Sequence, residues 1–213
     1  MSIDVKICGI NSAEALDAAV KGGATMLGFV FFPPSPRCVT PVEAHALMAL
    51  VPDGVQKVAL MVNPDDLDVG AVCRKLPVDI LQLHGSESLD RISDIKAKVG
   101  LPIMKAVGIA GPDDIKRAHE YEAICERILL DAKAPKDAKL PGGNALSFDW
   151  DLIRGETWVK PWMLAGGLTP QNLAEAVKIS GAKAVDVSSG VEDRPGHKSV
   201  QKIQDFLKLA KSL

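Results

Sequence analysis

The sequence predicts a (β/α)8 (TIM) barrel, an α/β fold with eight parallel strands, on three observations. Eight short apolar runs recur roughly 20 to 35 residues apart, which leaves room for one helix between neighbouring strands. Helix-start signals closely follow several of these runs, and polar side chains gather where the runs end. A strand, a short loop and a capped helix repeated eight times are typical of a barrel.

Each predicted strand is a run of four to six residues rich in apolar side chains. The runs cover residues 3–8, 26–31, 57–62, 80–83, 103–107, 128–131, 162–165 and 184–187. A doubly wound sheet is the alternative, but it typically has five or six strands and a glycine-rich first turn. The first turn here reads Cys8-Gly9-Ile10-Asn11, without a GxGxxG pattern. Because the repeat runs through the chain without a linker, we expect one barrel domain over residues 1–213.

Helix starts are marked by a capping residue, in several cases followed by a proline at the first helical position. We predict such starts at Asn11, Thr40, Asn63, Gly111 and Thr169. Thr40 and Glu43 have the spacing of a capping box. The last helix is expected from about residue 199, with an apolar stripe formed by Ile203, Phe206, Leu207 and Ala210.

The composition argues against several classes of partner and compartment. Lys and Arg number 25 against 27 Asp and Glu, and aromatic residues are only 4%, so a nucleic-acid partner is not expected. No apolar run approaches the roughly 18 residues of a membrane span, and the first residues lack the apolar core of a signal peptide. Four cysteines without CxxC spacing predict reduced thiols and a cytoplasmic location. No His/Asp/Glu set has the spacing of a metal site.

Polar residues interrupt the predicted strands at their C-terminal ends. They are Lys6 and Cys8, Gln82 and His84, Asp131, and Asp186 and Ser188. Spacing of two residues places the members of each pair on the same strand face. A ring of such groups around the C-terminal mouth is where barrel enzymes carry out their chemistry.

Two glycine turns and an arginine suggest what this mouth binds. Gly166-Gly167 and Ser188-Ser189-Gly190 follow the last two strands, where barrel enzymes often hold a phosphate on exposed backbone N–H groups. Arg37 lies in a proline-stiffened loop after the second strand and could bind a carboxylate through its planar fork. A second long connection, over 132–147, contains Gly142 and Gly143.

An ordered set of motifs along the whole chain resembles one known family. The motifs are KICGI from Lys6, PRCV from Pro36, LQLHG from Leu81, LDA from Leu130, FDW from Phe148, LAGGL from Leu164 and DVSSGVE from Asp186. This set is similar to that of the phosphoribosylanthranilate isomerases. The resemblance implies a cofactor-independent Amadori rearrangement of N-(5-phosphoribosyl)anthranilate to 1-(2-carboxyphenylamino)-1-deoxyribulose 5-phosphate, in tryptophan biosynthesis.

The resemblance also implies roles for individual residues. Asp131 would be the general acid that opens the ribose ring, and Cys8 the general base. Arg37, Gln82 and His84 would bind the substrate. The phosphate would be held by Gly142, Gly143, Gly166, Gly167, Ser188, Ser189 and Gly190. We expect Lys6, two residues from Cys8, to favour the thiolate, and the only partners to be the phosphosugar–anthranilate substrate and, transiently, neighbouring pathway enzymes.

Structural interpretations of the same residues remain open at this point. Cys8 could be a small buried apolar residue, and Asp131 could cap a helix or pair with Lys133. Gln82 and His84 could satisfy polar groups inside the barrel, and Asp186 could pair with Lys6. The family usually has Gly-Gly-Thr-Gly where this chain has 142–145 reading GGNA, which puts the shape of that loop in question.

Other functions compete with the isomerase. A histidine-pathway aldose–ketose isomerase performs the same rearrangement but has an aspartate where Cys8 stands. A pentose-phosphate epimerase would need a metal-binding His/Asp set. A non-catalytic sensor of phosphate ligands would keep the glycine turns without needing Cys8 or Asp131.

Overall fold

The chain forms a closed barrel of eight parallel strands, as the sequence predicts. The computed structural model describes residues 3–135, 140–143 and 146–213. The barrel strands are β1 (Asp4–Cys8), β2 (Met26–Phe31), β3 (Gln56–Met61), β4 (Ile80–Leu83), β5 (Ile103–Ile109), β6 (Arg127–Ala132), β7 (Trp162–Leu164) and β8 (Ala184–Val187). Each strand pairs with the next, and β8 pairs with β1 to close the ring.

Seven α-helices surround the barrel in the described residues. They are α1 (Ala13–Gly22), α2 (Pro41–Met48), α3 (Asp66–Cys73), α4 (Leu89–Val99), α5 (Pro112–Tyr121), α6 (Leu173–Ser180) and α7 (Val200–Ala210). The prediction of a helix after every strand is wrong after β6, where the described residues form only a 3-10 turn at Trp150–Ile153. Gly155, with φ of +76°, follows this turn closely, and such a backbone conformation stops a helix from continuing.

Two of the predicted helix starts are confirmed. The Thr40 side chain accepts a hydrogen bond from the Glu43 amide, and the reciprocal bond completes the capping box of α2. Gly111 precedes α5, with Pro112 at the first helical position. The final helix also begins as expected, and all four residues of its apolar stripe are buried. In the described part of the chain, no helix has the length and apolar character needed to cross a membrane.

The other three starts lie one to three residues beyond their predicted positions. Ser12 caps α1, because the amide of Asn11 instead donates to the Gly196 carbonyl at 2.8 Å. Asp65 caps α3, while Asn63 takes a positive φ of 45° and its Oδ1 accepts from the backbone of the β4–α4 loop.

At α6, Asn172 rather than Thr169 occupies the cap position. The Asn172 Oδ1 accepts from the Thr169 N–H at 2.8 Å, and its amide nitrogen donates to the Gly167 carbonyl at 2.9 Å. The asparagine therefore ties the glycine turn after β7 to the start of the helix that follows it.

Along each strand, side chains that pack outward against the helices alternate with side chains that point into the barrel lumen. On β1, Val5 and Ile7 pack outward against the helices, while Lys6 and Cys8 alternate with them. A separate apolar cluster is formed by Met26, Val58, Ile80, Met104, Ala106, Leu129, Met163, Ala165 and Ala184. Because these residues occupy the alternate positions of their strands, they fill the barrel lumen. The polar inward-facing residues therefore lie nearer the C-terminal mouth.

A buried ion pair beside the mouth was not anticipated from the sequence. Lys105 lies on β5 and its Nζ donates to Glu87 Oε2 at 2.8 Å and to the Gly85 carbonyl at 2.7 Å. Glu87 also accepts from the Gly85 and Asn63 amides. Burial lowers the pKa of Lys105, and Glu87 partly offsets that effect. The pair fixes the loop that follows His84.

A short antiparallel hairpin after β8 was also missed. Its strands are β9 (Glu192–Arg194) and β10 (His197–Lys198). Gly196, with φ of +81°, lies at its tip, and a Cβ there would come within 2.4 Å of the Pro36 carbonyl oxygen. The hairpin therefore packs directly against the loop that carries Arg37.

His119 on α5 connects that helix to the segment before β7. This segment lies between β6 and β7, where the sequence predicts another helix. Its ring stacks on Trp158 with centroids 4.1 Å apart. Nδ1 lies 2.7 Å from Glu122 Oε2 and Nε2 lies 3.3 Å from Glu156 Oε2. Burial lowers the pKa of His119, but the two carboxylates outweigh it, so that the pKa is raised above 6.5.

This histidine predicts a pH-dependent contribution to stability. Because its folded-state pKa is raised, the contribution is fully present below about pH 6.5 and is lost as the pH rises through the folded value. We expect His119→Gln to lower the thermal unfolding midpoint by a few degrees near pH 5.5 and by clearly less near pH 8.5. The exposed His45 gives the control, since His45→Gln should show no such difference. An equal loss at both pH values would contradict the assignment.

Candidate active site

The predicted site residues converge on one pocket at the C-terminal mouth, with a volume of about 790 Å³ including its opening. Ten of the twelve line it: Cys8, Arg37, His84, Asp131, Gly142, Gly143, Gly166, Gly167, Ser188 and Ser189. Gln82 and Gly190 do not line it.

Cys8 ends β1 and lies beside a buried lysine. The Lys6 side chain is fully buried, and its Nζ donates to Asp186 Oδ1 on β8 at 2.8 Å. The structural pairing considered for Asp186 is therefore present. Burial raises the pKa of the Cys8 thiol, and the charge of Lys6 opposes this rise without cancelling it. The expectation that Lys6 favours the thiolate is met in direction, but burial is the larger effect.

Gly28 provides the space that these side chains occupy. It lies opposite Cys8 in the β1–β2 register. A Cβ at this position would stand 3.0 Å from both the Cys8 sulfur and the Lys6 Nζ, which is tighter than an ordinary contact. A strand residue with a side chain would therefore displace one of the two groups.

Asp131 is the penultimate residue of β6 and has two hydrogen-bonding neighbours. Its Oδ1 accepts from the Ala132 amide at 2.8 Å, and its Oδ2 lies 3.2 Å from His84 Nε2. It neither caps a helix nor pairs with Lys133, whose ammonium contacts Asp114 instead. The aspartate is thus oriented by the barrel and directed into the pocket.

Gln82 lies behind His84 rather than on the pocket wall. It is fully buried, and its Nε2 is 3.3 Å from His84 Nδ1. If the amide donates to Nδ1, the imidazole proton is on Nε2 and faces Asp131. Gln82 contacts His84 rather than lining the pocket, because β4 places it one inward position deeper in the barrel, and its contact with substrate stays a prediction.

The glycine turns that follow β7 and β8 are in close contact. Gly166 and Gly167 have φ of +86° and +60°, a conformation that favours glycine. A Cβ on Gly190 would lie 1.8 Å from the Leu168 carbonyl oxygen, so no side chain fits there. Gly190 is therefore a close-approach position between the turns rather than part of the pocket wall. Ser188 is fixed by its hydroxyl, which donates to the Cys8 carbonyl at 3.1 Å.

Gly142 and Gly143 have different neighbours from the other predicted phosphate residues. A Cβ on Gly142 would stand 2.6 Å from Asp131 Oδ2 and 2.7 Å from the His84 ring, and one on Gly143 would stand 2.7 Å from Arg37 Nη1. These glycines cover the aspartate and the arginine, and their binding of the phosphate stays a prediction. The unusual pair at 144–145 lies outside the described residues.

Arg37 is held by a carboxylate that the sequence analysis did not single out. Its Nε and Nη2 donate to the two oxygens of Glu192 at 2.7 and 2.8 Å. Arg37 also lines the pocket, and its Nη1 donates to no residue in the described part of the chain, which leaves that nitrogen for a ligand. Burial raises the pKa of Glu192, but Arg37 and Lys198 outweigh it and lower the pKa overall.

The close contact between the turns predicts that a side chain added at Gly190 destabilises the fold more than one added at a glycine with space around it. Gly190→Ala should lower the free energy of unfolding by about 2 kcal/mol or more, because neither backbone can yield without moving a turn. Gly70→Ala, inside α3, is the control: its added Cβ would meet only the Arg74 side chain, at 3.9 Å, and the free energy of unfolding should not fall, because alanine favours the helix. Urea unfolding measures both. Equal effects would show that the turns are not tightly apposed.

Comparisons with known proteins agree with this site. Residues 5–209 match the family model described as N-(5′-phosphoribosyl)anthranilate isomerase. The curated N-(5′-phosphoribosyl)anthranilate isomerase of Paracoccus denitrificans is 53% identical over 207 residues, which are 97% of this chain and 96% of that protein.

Solved structures give the same result. Phosphoribosyl anthranilate isomerase from Thermotoga maritima matches with a TM-score of 0.88 and 36% identity, over 99% of this chain and all of that one. A phosphoribosyl anthranilate isomerase in complex with reduced 1-(o-carboxyphenylamino)-1-deoxyribulose 5-phosphate has a TM-score of 0.84 and 34% identity, with the same coverage. The chain belongs to the N-(5′-phosphoribosyl)anthranilate isomerase family.

Proposed function

We propose that the protein isomerises N-(5′-phosphoribosyl)anthranilate to 1-(2-carboxyphenylamino)-1-deoxyribulose 5-phosphate, with Cys8 as general base and Asp131 as general acid. The observation that carries these roles is that both side chains line one pocket, on strands three places apart around the barrel. A related protein has been solved in complex with the reduced form of this product. The reaction moves hydrogen within the substrate, so its electrons balance without an external oxidant or reductant.

The chemistry needs one proton delivered and one removed. Protonation of the ribose ring oxygen breaks its bond to C1′ and opens the ring to an iminium. Removal of the C2′ proton then gives an enamine, which tautomerises to the ketone. Both proton transfers require side chains within hydrogen-bond reach of the sugar, which a pocket lined by Asp131 and Cys8 provides.

His84 and Gln82 support the acid in this proposal. Both oxygens of Asp131 already have hydrogen-bond donors beside them, an arrangement suited to a carboxylate. For Asp131 to act as the acid, its carboxyl must carry a proton of its own, in addition to the N–H of His84, and give that proton to the ring oxygen. Gln82 fixes the orientation of the imidazole. The Ala132 amide and the His84 Nε2–H are placed to stabilise the carboxylate that Asp131 becomes once the proton has left.

The remaining residues hold the two ends of the substrate. Arg37 would bind the anthranilate carboxylate through Nη1, while Glu192 keeps the guanidinium plane fixed. The turns containing Gly166-Gly167 and Ser188-Ser189 would bind the phosphate through backbone N–H groups. Gly190 contributes by letting these turns approach each other.

The wider assignments follow from the same proposal. We propose that residues 1–213 act as one barrel domain in the cytoplasm, with a small-molecule substrate and neither nucleic acid nor membrane as partner. Transient contact with neighbouring pathway enzymes is part of the proposal as well.

Substitution of the two proposed catalytic groups provides the main test. Cys8→Ala and Asp131→Asn should each reduce turnover by about 10²- to 10⁴-fold, the usual contribution of general acid–base catalysis. Loss of substrate fluorescence follows the reaction. Both variants should still bind the reduced product analogue, and Cys73→Ala, on α3, should keep full activity. Full turnover in either site variant would remove the role assigned to it.

A comparison of substrates separates the competing functions. Purified protein should turn over phosphoribosylanthranilate and leave the phosphoribosyl substrate of the histidine-pathway isomerase unchanged. Turnover of the latter alone would favour the histidine-pathway activity. Binding of phosphate ligands without any turnover would favour a sensor.

A further inference from the structure

Lys198 is a buried cation that the proposed mechanism does not yet use. It lies on β10, and its side chain is fully buried. Its Nζ donates to Glu192 Oε1 at 2.8 Å, to the Ser188 carbonyl at 2.9 Å and to the Ser188 hydroxyl at 3.2 Å. Three acceptors match the three protons of an ammonium group. Burial lowers the pKa of Lys198, and the contact with Glu192 opposes that effect.

Two hydrogen bonds connect this lysine to the residue that carries the thiol. Lys198 contacts the Ser188 hydroxyl, and that hydroxyl donates to the Cys8 carbonyl at 3.1 Å. The charge is also close enough to affect the thiol directly, since Lys198 lowers the pKa of Cys8 while burial raises it. Moving Lys198 would therefore alter both the position of the turn and the field at the sulfur.

The charges around the thiol leave a positive surplus on this side. Lys6 on β1 and Asp186 on β8 face Cys8 and form a neutral pair, and β2 contributes the uncharged Gly28 and Val30 beside it. Arg37, Glu192 and Lys198, which we call the buried ion triad, contain two cations and one anion. The uncompensated positive charge of the triad is next to the Ser188 turn.

We propose that Lys198 is a positioning residue that holds the Ser188 turn against Cys8 and supplies the buried positive charge that makes the thiolate accessible. Glu192 moderates this charge and links it to Arg37. The inference rests on the proposed role of Cys8 as the base. It assigns to the β9–β10 hairpin a part in the chemistry, because both Glu192 and Lys198 belong to it.

The reactivity of the Cys8 thiol in the free protein tests this directly. Alkylation by iodoacetamide is followed as a function of pH, with peptide mass spectrometry separating Cys8 from the other cysteines. Lys198→Met should slow alkylation of Cys8 about tenfold at a fixed pH below the thiol pKa, equivalent to a rise of one pKa unit. The acidic limb of kcat/KM should move to higher pH by a similar amount.

Two further variants make the result specific. Glu192→Gln keeps the shape of the side chain but removes the moderating anion, so alkylation of Cys8 should become faster rather than slower. If Lys198→Met does not fold, the alkylation rate of Cys8 in Glu192→Gln still tests whether the buried charge acts on the thiol. Lys202→Met is the matched control, because Lys202 contacts the Glu192 carbonyl and Asp193 at the protein surface, and its loss should change the rate by less than about twofold.

Other outcomes would overturn the proposal. An unchanged alkylation profile in Lys198→Met would show that the lysine only supports the hairpin. Slower alkylation in both Lys198→Met and Glu192→Gln would indicate general loss of structure instead of a charge effect. Failure of the base role is distinguishable: Cys8→Ala with full turnover would refute that role and leave the alkylation result standing.

Discussion

Pairing of buried charge at the C-terminal mouth is the constraint on which the rest of the site depends. Lys6, Arg37 and Lys198 are all nearly or fully withdrawn from water in their side chains, and an unpaired charge there would be far too costly to keep. Asp186 pairs with Lys6, and Glu192 contacts both Arg37 and Lys198, whose ammonium group also donates to Ser188. Because the Lys6–Asp186 and Arg37–Glu192 pairs join segments distant in sequence, they also fix where the thiol, the arginine and the phosphate turn lie.

The barrel makes this arrangement possible by sorting side chains along each strand. Apolar residues fill the lumen below the mouth, and the inward positions nearest the C-terminal ends carry Lys6, Cys8, Gln82 and Asp186. Glycine is required where groups come closest, as at Gly28 beside the sulfur and at Gly190 against the backbone of the neighbouring turn. The apolar residues inside the barrel therefore contribute to stability, while the residues at its C-terminal mouth carry the chemistry.

The sequence was sufficient to predict the barrel and the location of the site, because both depend on local patterns. All eight strands coincide with apolar runs, and period-two spacing placed Cys8 and Lys6 on one face. The 3-10 turn after β6 escaped prediction because the positive φ of Gly155 stops a helix there. The shifted cap at Asn172 escaped because the side-chain bonds of Asn172 to Thr169 and Gly167 decided it. The role of Glu192 and Lys198 also escaped, since a hairpin of three- and two-residue strands leaves no periodic signal. The ion pair between Glu192 and Arg37 joins residues 155 apart and depends on the tertiary fold.

Burial and positive charge act on Cys8 in opposite directions, and the proposed chemistry needs both. A thiol surrounded only by apolar groups would have so high a pKa that almost no thiolate formed. A thiol exposed to several cations would ionise readily but would be a weak base, because basicity falls with pKa. With burial dominant and Lys6 and Lys198 opposing it, the thiolate is scarce but strongly basic. That balance suits the removal of a proton from carbon, a weaker acid than the thiol itself.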